Sequence, residues 1–127
     1  MEYGFSKIVD QPFEQIVEKV TEELKKVGFG VLTEIDVKDT MKKKLNVDFK
    51  KYKILGACNP PIAHKALQIE EELGLLLPCN VIVYEKESKT AVSVFNPMIM
   101  SQLIDNKDML AIAEEVKIKL MTVLDSI

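Results

Sequence analysis

Apolar residues recur along this chain at two spacings, and the switches between them mark its elements. Phe13, Ile16, Val17, Val20, Leu24 and Val27 fall three and four apart up to Gly28. That spacing predicts an amphipathic helix over residues 12–27, opened by Pro12 and closed by the glycine. Before it, YGFSKIV (residues 3–9) alternates as a strand does. After it, residues 29–37 read as a second strand, with Val31, Thr33 and Ile35 on one face and Leu32, Glu34 and Asp36 on the other. A short helix over 38–45 follows, then a third strand at Tyr52–Cys58, whose Gly56 marks a close backbone approach.

In ILGACNPPIAHKAL the strand pattern runs straight into a helical one. Asn59 is a favoured N-cap, and Pro60 takes the first helical position, where its missing N–H costs nothing. Ile62, Ala66, Ile69 and Leu73 lie on one arc of this helix, which Gly74 ends, and His64 lies on the opposite side. Residues 79–85 and 89–96 read as a hairpin joined at Glu87 and Ser88. Met109, Ile112, Ala113, Val116, Leu120, Val123 and Leu124 give a long C-terminal helix begun at Asp105, with Asp108 three residues on. The order β-α-β-α-β-α-β-β-α predicts an α+β fold: a single mixed β-sheet with helices packed on it, in one domain over residues 1–127. A ferredoxin-like split arrangement is the alternative.

Composition narrows the function more than the fold. With 127 residues and 47% hydrophobic content the chain buries a core without staples. No apolar run reaches membrane-spanning length, and MEYGFSKIVDQPFEQ lacks the basic-then-apolar plan of a signal peptide, so a cytoplasmic protein with no membrane partner is expected. A net charge of −3 and the lack of arginine and tryptophan argue against nucleic acid. The lysine-rich KKKLNVDFKKYK (residues 42–53) reads as a solvated segment rather than an anion surface.

Taken together, VLTEIDVKDTMKKKLNVDFKKYKILGACNPPIAHKAL, EEELGLLLPCNVIVYE and FNPMIM resemble the family called domain of unknown function 302, over nearly the whole chain. The resemblance implies a small one-domain prokaryotic α/β protein without an assigned reaction. The cofactor, if the chain uses one, is unknown from the sequence.

Chemistry is therefore sought in the residues themselves. Cys58 sits just before a helix N-terminus, where the dipole and amide N–H groups favour a thiolate. It is the candidate nucleophile, with His64 as its base and Asn59 lining an anion or small-molecule site. Cys79 and Asn80 form a second Cys-Asn pair that offers a redox or binding partner. Parallel pairing of the strands ending at Cys58 and beginning at Cys79 would set the two thiols at opposite edges, whereas an extended segment at residues 75–78 would bring Cys79 back. The sequence leaves both open. Cys58, Cys79 and His64 lack the spacing of a metal site. Glu34 and Asp36, about 6 to 7 Å apart on one strand face, suit a cation or acid/base role as well as an ordinary polar face. Met98 and Met100 belong to an apolar segment, residues 97–104, expected to pack against a partner subunit or cover a pocket. Three functions follow: small-molecule or anion binding at the Cys58 junction, a thiol enzyme or redox protein, or a homodimeric interaction module.

Overall fold

The structure, a computed structural model, describes residues 2–127. Its elements run β1 (Gly4–Val9), α1 (Phe13–Lys26), β2 (Gly30–Asp36), α2 (Val37–Leu45), β3 (Tyr52–Cys58), α3 (Pro60–Ile69), a 3-10 helix (Glu71–Leu76), β4 (Cys79–Lys86), β5 (Lys89–Phe95), α4 (Met98–Leu103) and α5 (Lys107–Asp125). The α+β class and the order of the main elements are as the patterning predicts. The five strands form one sheet in the order β1-β5-β4-β3-β2, and every pairing is antiparallel. This is a meander from β2 to β5 with β1 added at the far edge, not a split ferredoxin-like sheet. The β3–β4 pair is antiparallel because α3 stops at Glu70 and the 3-10 helix carries the chain back, so one long helix to Gly74 does not form.

Helices cover one face of this sheet. Phe13, Ile16, Val20 and Leu24 of α1, and Met109, Ile112, Val116 and Leu120 of α5, are buried against Leu55, Val81, Val83, Val92 and Val94. Each such side chain contributes about 1.5–3 kcal/mol of burial. Lys7 ties β1 to the end of α5 by donating to the carbonyls of Leu124 (3.4 Å) and Ile127 (2.7 Å). The Leu124 carbonyl also accepts from the Ile127 N–H (3.2 Å), and the Ile127 carbonyl lies past the helix end. α5 is capped by Asn106, whose Oδ1 accepts from Asp108 and Met109 N–H, so it begins one residue later than the Asp105 signal suggested.

The apolar stretch 97–104 folds into α4. Its Met100 is only 2% exposed and packs into the chain's own core. Leu103 of the same run stays 67% exposed. Among the described residues no helix is long and apolar enough to cross a membrane.

Candidate functional site

The Cys58 junction forms as its residues dictate. β3 ends at Cys58, Asn59 accepts from the Ile62 N–H through its Oδ1 (3.4 Å), and Pro60 starts α3. Gly28, at φ +87°, completes the corner: a Cβ there would lie 2.9 Å from Asn59 Nδ2. Asn59 is therefore held by packing and capping. The cavity beside it, bordered by Cys58, Ala66, Leu73, Cys79, Met100 and Val116, is about 30 Å³. That is space for a water or two, against the roughly 300–1,000 Å³ of small-molecule pockets.

The thiols divide by burial. Cys58 is half-buried, while Cys79 is 5% exposed. Burial first, and the nearby Cys58 second, push the Cys79 thiol up to about 11, which keeps it protonated at neutral pH. Cys79 pairs across the ladder with Ala57. Cys58 is one residue further along, so the antiparallel register sets both thiols at the same edge of the sheet, and both border the cavity. His64 is exposed on α3 and does not border the cavity. Among the described residues no three His, Cys, Asp or Glu side chains gather to hold a metal ion.

The carboxylates sit elsewhere. Glu34 and Asp36 lie toward the other end of β2, with Glu34 paired to Lys53 (2.5 Å) and Asp36 capping α2 through the Asp39 N–H (2.9 Å). A bulge at Leu32 breaks the expected face assignment, leaving Thr33 and Ile35 on one side and Val31, which packs on the core, on the other. The lysine-rich stretch is largely paired: Lys42 with Asp48, Lys43 with Asp39, Lys51 with Glu14 and Lys53 with Glu34. The Lys51 contact holds the Glu14 carboxyl below its usual range.

Sequence reasoning missed the sheet's other face. Register aligns Ile8, Ala91, Tyr84 and Tyr52 in one row across it, and Ser6, Ser93, Ile82, Ile54 and Ile35 in the next. These side chains point away from α1 and α5. A solvated face of an antiparallel sheet is normally polar. Neither row holds a charge, although the chain's 29% charged content would place about three in nine positions.

Tyr52 and Tyr84 stack at 5.2 Å and 17°, Phe49 adds a third ring 6.3 Å from Tyr52, and Lys50 Nζ lies 4.9 Å from the Tyr84 ring centre. Burial, then the neighbouring Tyr84 and Tyr3 phenols, raise the Tyr52 pKa. Together with Tyr3, Ile82 and the bonded hydroxyls of Ser6 and Ser93 (2.5 Å), these residues line an open hollow of about 840 Å³. Asn80 also projects from this face, opposite Gly56, where a Cβ would press into Thr33 Oγ1 and lie 2.8 Å from Pro78 Cγ. The only signal in the sequence was that the outward positions of these strands are isoleucine, tyrosine and serine.

The family described as "Domain of unknown function DUF302" matches residues 5–127. Among solved structures, the crystal structure of an uncharacterized conserved protein DUF302 from Bacillus stearothermophilus is similar at TM-score 0.91 and 27% identity, covering 99% of this chain and 98% of that one. No curated protein matches.

Proposed function

The chain belongs to the DUF302 family, and from that premise we propose that it is a binding module, not a thiol enzyme, whose working surface is the uncovered face of its sheet. The ligand class is a small planar aromatic molecule carrying an anionic group. The observation that carries this reading is the open hollow of about 840 Å³ with its stacked tyrosines, in whose lining only Glu2 and Lys50 are charged. Tyr52, Tyr84 and Phe49 offer ring faces for stacking. Ile82 supplies an apolar floor, the Ser6 and Ser93 hydroxyls supply hydrogen bonds, and Lys50 at the rim supplies one cation. Binding at the Cys58 junction itself, the reading the sequence favoured, has only about 30 Å³ to offer and a histidine outside it. With its two free thiols the protein suits a reducing compartment, and the cytoplasm is part of the proposal.

Titration with anilinonaphthalene sulfonate, a planar aromatic anion, tests the reading. Dye fluorescence should rise on the native protein and fall at least about tenfold in affinity in Tyr84→Ala, the loss of a stacking contact worth about 1.4 kcal/mol. Cys58→Ser should bind as the parent does. Binding lost in Cys58→Ser and kept in Tyr84→Ala would return the site to the thiol junction.

A further inference from the structure

We propose that a second copy of this chain packs on the uncovered sheet face and completes the binding site between the two sheets. This rests on the surface reading above. A ligand lying on one open sheet keeps its other side in water, whereas small-molecule sites enclose about 70–90% of their ligand. The hollow is one wall of a site and is incomplete alone.

Area and charge both select a second copy. Five strands at about 4.8 Å spacing and about seven residues at about 3.3 Å rise make a face of about 24 by 23 Å, or about 550 Å². Two such faces bury about 1,100 Å², just past the roughly 1,000 Å² that a specific interface needs. Around a twofold axis, residues on the axis meet their own copies, so a charged face would set like against like. The chain carries a net charge of −3, yet these rows carry none, and they are rich in tyrosine and isoleucine as interface centres are. The charges of this face, Lys86 and Lys89 at the hairpin end and Glu2 and Lys50 lining the hollow, lie outside these rows. Ile82, on the middle strand and in the middle row, falls at the centre of the contact. Ile8 and Ile35, 50% and 47% exposed on the two edge strands, close its sides.

The test is sedimentation of the full chain from micromolar to millimolar concentration, with Ile82→Lys, Ile8→Lys and Leu103→Lys. Leu103 is 67% exposed on α4, away from this face, and serves as the control. The parent and Leu103→Lys should sediment as dimers. Ile82→Lys should be a folded monomer by circular dichroism, its dimer weakened at least about a hundredfold by the unpaired buried ammonium groups. Ile8→Lys, altered at a half-exposed edge position, should weaken the dimer in the same direction and decides the matter if Ile82→Lys does not fold.

A parent that stays monomeric at millimolar concentration, or a dimer untouched by Ile8→Lys and Ile82→Lys, overturns the proposal. Dye binding separates the two readings. Dye bound equally well by parent and monomeric Ile82→Lys keeps the surface and removes the second copy's part in it. A dimer that binds no dye removes the ligand class and the closed site with it.

Discussion

The buried thiol of Cys79 makes stability fall with alkali in a calculable way. Its pKa rises from the ordinary 9.0 to about 11 in the native state, through burial first and Cys58 second. Below pH 9 the thiol is neutral folded and unfolded, and its contribution to stability is fully present. Between pH 9 and about 11 the unfolded chain releases the proton while the native chain retains it, so stability drops by about 1.4 kcal/mol per pH unit. Above that window the loss is complete, at roughly 3 kcal/mol. The assay is urea denaturation followed by circular dichroism from pH 7 to above 11, for the parent and for Cys79→Ala. Lysines and tyrosines titrate alike in both, so the difference between the curves isolates the thiol. Cys79→Ala starts lower at pH 7, because it enlarges the space beside Ala66 and Leu73, and should then lose less with alkali. Cys58→Ser removes the smaller cause and should move the window down. Parallel curves for parent and Cys79→Ala would mean that this thiol ionises in place, and Cys79 would again be eligible as a reactive partner.

Three further outcomes follow from contacts. Gly56→Ala should cost about 1–3 kcal/mol in urea denaturation through overpacking against Thr33 and Pro78, and Thr33→Ala in the same chain should restore part of it; strictly additive losses would contradict the close approach. Asn59→Ala should lower stability by about 1 kcal/mol as a lost N-cap while Asn59→Asp retains most of it, a comparison that thermal denaturation makes directly. With a chromogenic disulfide reagent, Cys58 should react in the native protein at a rate unchanged by His64→Ala, and Cys79 only after unfolding; fast reaction of Cys79 in the folded chain would refute its burial.

The elements were legible where one residue type decides locally. Asn59-Pro60 opens α3, Gly28 at positive φ closes α1's corner, and the apolar stripes of α1 and α5 are the ones buried. The Glu87-Ser88 hairpin turn also formed, both residues adopting positive φ. What depends on pairing was not legible. Strand direction between β3 and β4 turned on how residues 70–78 fold back, and no periodicity specifies that. The Leu32 bulge shifted alternation by one within β2, so Val31 left the face of Thr33 and Ile35. α4 was hidden because a six-residue helix carries too little periodic signal. The Cys58 junction was found, but its depth was not, since Met100 and Val116 come from α4 and α5 to fill it. The open face was missed for the same reason: tyrosines 52 and 84 become neighbours only through the β3–β4 register.

If the uncovered sheet face is the working surface and a second copy closes it, a soluble nitroxide acting on isoleucine methyl resonances will report the closure. Ile8 and Ile35 on the face are 50% and 47% exposed in the single chain, comparable with Ile118 on α5 at 68%. In an unpartnered chain all three should broaden to a similar degree. At high protein concentration Ile118 should broaden while Ile8, Ile35 and Ile82 stay sharp, and dilution or Ile82→Lys should return Ile8 and Ile35 to the behaviour of Ile118. Ile8 and Ile35 broadening as strongly as Ile118 at every concentration would contradict it.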